Sequence, residues 1–179
     1  AEAAAAWEEA GKPMAAMLTR LAQPSLVGSA LAMLRRPPYD TRTDMMATAL
    51  RTLEKRKAYD DAIRVCEMLE AAAADATPWV ERRDELARKA ANAHAVDARA
   101  AMAAKDYSKR GDAAQRIMAA VRNVSSAPAQ VAIVRRFVDQ SLMGRNQLVK
   151  LLEEQGQQAA AFLELLIGGG ELLDYFDKA

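Results

Sequence analysis

Between Thr41 and Ala76 the chain contains neither glycine nor proline, and its apolar residues return at helical spacing. That stretch constrains the fold more than any other, because a period near 3.6 builds an apolar stripe on a helix and scatters it over both faces of a strand. The rest of the chain agrees with it. Hydrophobic residues make up 51% of the sequence while aromatics make up only 5%, so much of the apolar content is alanine, the strongest helix former. An all-α fold is expected.

The phase of the stripe then asks whether 43–74 is one helix or two. Met46, Leu50 and Leu53 keep a 4–3 spacing and the next step falls on Lys57; a rotated stripe restarts at Tyr59, Ala62, Ile63, Cys66 and Leu69. A single helix would bury Lys57 or let its stripe slip. Two antiparallel helices with a turn near 55–58 are the preferred reading, and one unbroken helix is the alternative. The expected architecture is antiparallel helical hairpins packed as a bundle or short α-solenoid, with an irregular helical N-terminal arm.

Four of the six prolines, Pro13, Pro24, Pro37 and Pro38, fall in residues 1–40. Pro13 and Pro24 suit the first turns of short helices, and Pro37-Pro38-Tyr39 reads as an extended connector. The expected organisation is an arm over 1–40, a helical core over 41–167 and a glycine-hinged helix over 168–179. "TRTD" at 41–44 has the form of a cap, with Thr41 or Thr43 accepting backbone N–H groups. Thr77-Pro78 opens a helix that nothing stops before about Lys105, with one apolar line through Trp79, Leu86, Ala90, Ala93, Ala100 and Ala104 and another through Val80, Ala87, Ala91, His94, Ala98 and Ala101. Gly111 suggests a turn before a helix at about 112–122. "SSAP" at 125–128 begins another, with Val131, Val134, Val138 and Leu142 in line. After Gly144 a helix carries Leu148, Leu151 and Leu152 and reaches Ile167 if Gly156 is tolerated. Gly168-Gly169-Gly170 is expected to end it, before a short helix in "ELLDYF".

"KAYDDAIR" at 57–64 and "KDYSKRGDAAQR" at 105–116 echo each other, with tyrosines 48 residues apart and arginines 52 apart, which suggests duplication. "ALRTLEKRKAYDDAIRVCEMLEAAAADATP", within residues 45–78, resembles a tetratricopeptide-type or pentatricopeptide-type hairpin. Ala49, Leu50 and Leu53 stand in the first helix, Tyr59, Ala62, Ile63 and Leu69 in the second, and Pro78 closes the unit. It departs from those families at the turn, where Arg56 and Lys57 replace a small residue. The resemblance implies a scaffold that binds proteins, or RNA in the pentatricopeptide case, on stacked hairpins. A fainter likeness, carried by the Lys-Ala-aromatic step and the alanine-rich third helix, is to PsbQ-type extrinsic photosystem subunits, which are four-helix bundles. The arm and the additional C-terminal helices do not match that pattern.

Side-chain chemistry is sparse. Lys+Arg at 25 nearly cancels Asp+Glu at 24, so no net field steers the chain to nucleic acid or an anionic surface, and a nucleic-acid partner is not expected. The single cysteine, Cys66, shares a face with Ile63 and Leu69 and reads as a core thiol. His94, the single histidine, lies on an alanine-lined helix with Asp97 three residues on and reads as structural. The glycine triplet follows a leucine-rich helix and lacks the lysine and hydroxyl of a phosphate loop. Asp60-Asp61, Glu8-Glu9 and Glu153-Glu154 are adjacent on helices and diverge, so none forms an acid–base dyad. The basic doublets Arg35-Arg36, Arg82-Arg83 and Arg135-Arg136 lack interleaved aromatics.

No catalytic residue, metal ligand or cofactor is therefore expected, and the chain reads as a non-enzymatic interaction or scaffold subunit of a larger complex with a protein partner. Residues 13–36 are interrupted by Arg20, Gln23 and Pro24 and fall short of the roughly 20 apolar residues of a membrane span, so a soluble protein is expected, with peripheral association open. The start "AEAAAAW" suits a processed mature chain in an organelle or exported compartment and an artificially trimmed chain equally well; the compartment itself stays open. Candidate partner-binding residues are Trp7, the run from Leu26 through Leu31 to Leu34, and the tail residues Leu172, Leu173, Tyr175 and Phe176. Two alternatives remain: an accessory (extrinsic) subunit of a membrane-bound organellar or photosynthetic complex, and an α-helical enzyme or ligand carrier with its site between helices.

Overall fold

A computed structural model describes the backbone of residues 2–176 and the side chains of residues 2–167. Ten α-helices account for it: α1 (Glu2–Glu9), α2 (Pro13–Leu21), α3 (Val27–Leu34), α4 (Thr43–Lys55), α5 (Tyr59–Ala72), α6 (Thr77–Ala103), α7 (Tyr107–Val121), α8 (Ala127–Asp139), α9 (Arg145–Glu154) and α10 (Gln158–Phe176). A single 3-10 turn at Pro24–Leu26 precedes α3, and no strand occurs among the described residues. The fold is all-α.

Residues 53–58 show why this sequence makes hairpins. Lys57 is left-handed, with φ 59°. Its N–H donates to Glu54 O at 2.9 Å, and the next N–H, of Ala58, reaches back to Leu53 O at 3.0 Å. This pair of bonds is the Schellman motif, which satisfies carbonyls left over at the helix end and reverses the chain. α5 begins immediately at Tyr59, so α4 and α5 pack on one another across a three-residue connection. As the interrupted stripe predicts, Leu53 is buried and Lys57 is exposed, while Tyr59 is half-buried.

The same connector recurs. Gly11 (φ 68°), Lys105 (φ 55°) and Gly156 (φ 71°) are also left-handed. Each is followed by one residue and then a new helix, so α1–α2, α6–α7 and α9–α10 are joined as α4–α5 is. The paired bonds repeat: Lys12 N to Trp7 O and Gly11 N to Glu8 O, both 2.9 Å; Asp106 N to Ala101 O at 2.9 Å and Lys105 N to Met102 O at 3.0 Å; Gln157 N to Leu152 O at 2.8 Å and Gly156 N to Glu153 O at 2.9 Å. The left-handed positions 11, 57, 105 and 156 are 46, 48 and 51 residues apart. The echo of "KAY" and "KDY" thus has a structural basis: the lysine ends one helix and the tyrosine begins the next. A fifth motif, at Ser141 (φ 57°), closes α8 through Leu142 N to Phe137 O at 2.9 Å.

The chain divides into two compact units, residues 1–87 and 88–179. The division falls inside α6. In the first unit α2 packs on α3 and α4, and Met17, Leu21, Leu31, Leu34, Met45, Met46, Leu53, Ile63, Cys66, Leu69 and Leu86 are buried. Residues 1–40 therefore contribute to the core of this unit. In the second unit α8 packs on α7 and α9, and α9 packs on α10, burying Ile117, Phe137, Leu148, Leu151 and Leu152. Ala91, His94, Ala95, Ala98 and Ala101 form the buried line of α6, whereas Ala93, Ala100 and Ala104 of the other expected line are exposed.

Several helix boundaries differ from expectation. The capping sequence at 41–44 does not cap: Arg42 precedes α4 without a side-chain cap and holds Asp44 in a bidentate pair at 2.9 and 2.8 Å. Gly111 lies within α7, which starts at Tyr107 because Asp106 Oδ1 accepts from Lys109 N at 3.0 Å. Gly156 is not tolerated within a helix: α9 ends before it and α10 starts after it, whereas the glycine triplet, expected to end a helix, lies within α10. Ser126 caps α8, its hydroxyl oxygen accepting from Ala129 N at 3.4 Å.

Candidate functional site

Of the expected partner-binding residues, Leu31 and Leu34 are corrected: both are buried in the first unit, 4% and 0% exposed. The spacing of Val27, Ala30, Leu31 and Leu34 on α3 gives that short helix an inward stripe. Leu26 is half-buried. Trp7 is exposed, and the Lys12 ammonium stands 5.1 Å over its ring. The two residues are the side-chain partners of the first connector, so a cation–π contact replaces the hydrophobic contact usual there. The side chains of Leu172, Leu173, Tyr175 and Phe176 lie outside the described residues.

A run of exposed apolar side chains lies just before them and was missed. On α10, Phe162, Leu163, Leu165, Leu166 and Ile167 are each 51–60% exposed. Ala161 and Glu164 are the buried positions of this stretch. Glu164 accepts from Arg135 of α8 at 2.8 Å and from Arg145 of α9 at 2.7 Å. Thus the one charged side chain within 159–167 turns inward and is paired with two arginines, and the outward surface of those residues is hydrocarbon. A helix apolar nearly all round is normally buried. The signal was in the sequence: "AAAFLELLI" places apolar residues on every side of the helix except at Glu164.

In the first unit, two ion pairs join α6 to the hairpin that carries Cys66. Arg82 Nη2 of α6 pairs with Glu54 Oε1 of α4 at 2.6 Å, and Arg83 Nη1 pairs with Glu70 Oε2 of α5 at 2.8 Å. Burial above all, and then the negative charges of Glu54 and Glu70, push the Cys66 thiol up to about 12. Burial likewise raises the Glu70 carboxyl, whose Oε1 takes no hydrogen bond among the described residues. The two ion pairs tie α6 to α4 and α5, and burial keeps the thiol protonated.

In the second unit a cleft of about 420 Å³ is lined by Asp97, Ala100 and Ala101 of α6, by Ala104 and Asp106 of the connector that follows, and by Lys109, Asp112 and Arg116 of α7. Asp97 pairs with Arg116 at 3.3 Å and Asp106 with Lys109 at 2.9 Å, so much of the charge in the cleft is compensated. His94 is buried, with Nδ1 3.9 Å from Asp97 Oδ2, and does not line the cleft. No group of three or more His, Cys, Asp or Glu side chains that could hold a metal ion occurs among the described residues. No helix among them is long and apolar enough to cross a membrane. Compared with known protein families, curated proteins and solved structures, the chain matches none.

Proposed function

We propose that this chain is a non-enzymatic interaction subunit whose hairpins display apolar helix faces to a protein partner, with α10 as the principal contact. One observation carries the reading: five large apolar side chains, at most half covered and undiluted by charge, lie within six consecutive residues of one helix. Continuous apolar patches of that kind mark docking surfaces. The resemblance of residues 45–78 to a tetratricopeptide-type or pentatricopeptide-type hairpin supports the same reading, since such hairpins serve as binding scaffolds. Near-neutral net charge favours protein over RNA. The test is affinity capture from the native source with the wild-type chain and with the double variant Leu163→Glu, Leu166→Glu. A partner lost on substitution is expected. A partner set unaffected by the variant would remove α10 from the interaction.

A further inference from the structure

We propose that a pocket in the first unit binds a small aromatic carboxylate, with Arg36 holding its charged end; the proposal is independent of the α10 reading.

The pocket, of about 200 Å³, lies where α1, α2 and α3 meet the connector that leads to α4. Glu8 of α1, Arg20 of α2 and Met33 of α3 line it, together with Arg36 and Tyr39 of the connector. Backbone bonds hold that connector in shape: Arg36 N donates to Met33 O at 3.2 Å, Tyr39 N to Arg36 O at 2.7 Å and Arg42 N to Tyr39 O at 3.0 Å. The backbone that carries Arg36 and Tyr39 is thus set before a ligand arrives, which lowers the entropy lost on binding.

Charge selects the ligand's head group. Arg20 Nη2 pairs with Glu8 Oε2 at 2.6 Å while its Nη1 rests on Met33 Sδ at 3.2 Å, so the charges of Glu8 and Arg20 cancel. Arg36 is left over. Its Nε donates to Ala32 O at 3.3 Å, and its two Nη nitrogens take no partner among the described residues. The Glu8 carboxyl is held below its ordinary value by the hydrogen bond from Arg20 above all, and also by the charges of Arg20 and Arg36, so the field of Arg36 reaches across the pocket. A planar guanidinium with both Nη nitrogens open matches the two oxygens of a carboxylate. One surplus positive charge calls for one negative charge. A phosphate dianion would bring a second, which Glu8 would repel.

The remaining groups select the body. The hydroxyls of Ser29 and Tyr39 line the same pocket and take no hydrogen bond among the described residues, so either can donate to the carboxylate. The Met33 thioether and the Tyr39 ring both pair favourably with an aromatic ring, and Pro37 adds an apolar wall. The volume is the share of roughly six or seven liquid waters, enough for a single ring with its acid group.

Titration of the isotope-labelled full chain with benzoate, followed by amide chemical shifts, tests the proposal. Saturable shifts centred on residues 29–39 are expected, with a dissociation constant of about 0.1–1 mM. Benzylamine, the same ring with the opposite charge, should leave those residues unmoved, and inorganic phosphate should bind at least ~10-fold more weakly than benzoate. Arg36→Gln should weaken benzoate at least ~10-fold, and Arg36→Lys, which keeps the charge without the fork, should fall between. Because Arg36 is exposed, both variants should keep the far-ultraviolet circular dichroism of the wild type. Should Arg36→Gln misfold, the Arg36 Nε–H signal of the wild type decides: it should move in step with the amides, and a fixed signal refutes the contact. The proposal is overturned if no saturable shift appears by about 10 mM benzoate, ten times the upper expected value, or if the shifts centre on another part of the chain. Equal binding of phosphate or benzylamine overturns it too, as does a folded Arg36→Gln that binds benzoate as the wild type does.

Discussion

Replacing Lys57 by glycine should stabilise the protein, which is unusual for a change that shortens a side chain. Lys57 is held at φ 59° by the two backbone bonds of its connector. A left-handed backbone costs a residue with a Cβ about 1–2 kcal/mol, a cost that glycine does not bear. Glycine gives back about 0.5–1 kcal/mol through its larger freedom in the unfolded chain. The net gain is about 0.5–1 kcal/mol. Lys105→Gly should give a similar gain, and because the two sites lie in different hairpins the gains should add, to about 1–2 kcal/mol. Gly156→Ala is the mirror experiment. A Cβ there meets nothing within 4 Å, so its loss of about 0.5–1 kcal/mol comes from backbone conformation alone. Urea unfolding followed at 222 nm would measure all three, and the double lysine variant should melt about 2–8 °C higher. Lys57→Ala is the control and should be near neutral, since the lysine side chain is exposed and the alanine Cβ bears the same strain. If Lys57→Gly is neutral or destabilising while Lys57→Ala is neutral, Lys57 is not left-handed in solution and the connector argument fails.

Glu164→Gln removes the shared anion of Arg135 and Arg145 and should cost about 1–3 kcal/mol, discounted because Arg135 is half exposed; the amides of 158–167 should exchange faster, and unchanged exchange would mean that the pair does not hold α10. With its thiol pushed up to about 12, Cys66 should ignore a disulfide reagent at pH 8 until urea unfolds the chain. Equal rates in the folded and unfolded protein would refute its burial. Arg42 holds the Asp44 carboxyl down to about 2 from 3.8. A carboxyl depressed on folding contributes stability that is fully present above its unfolded value and lost on acidification, so the acid limb between about pH 3.8 and 2 should flatten in Asp44→Asn. An unchanged limb would show that the pair does not form.

The hairpin at 53–59 was legible because a charged residue fell on an apolar phase, and phase is set by helix geometry. Gly111 and the glycine triplet misled because a glycine ends a helix only where the chain must turn left-handed, and lysines at 57 and 105 can do that when two backbone bonds hold them. Buried Leu31 and Leu34 were mistaken for surface because short helices between prolines look too small for a core of their own, whereas they contribute to one shared with α4. The α10 face passed unnoticed because sequence shows an apolar run without showing which side is covered. Glu164 was the readable clue, yet only its distances to Arg135 and Arg145 reveal that the charge points inward.

The three-residue connectors also bear on how quickly the chain finds its fold. Closing so short a loop takes tens of nanoseconds, and the entropy lost in closure is small. α1 meets α2, α4 meets α5 and α9 meets α10 directly across such loops, so most contacts join residues close in sequence. Proteins of low contact order fold in microseconds to milliseconds. Each hairpin is thus a nucleus that can form without waiting for distant chain, and a stopped-flow trace from urea should be dominated by a phase completed within milliseconds. A dominant phase of seconds would mean that the barrier lies in contacts other than the hairpins.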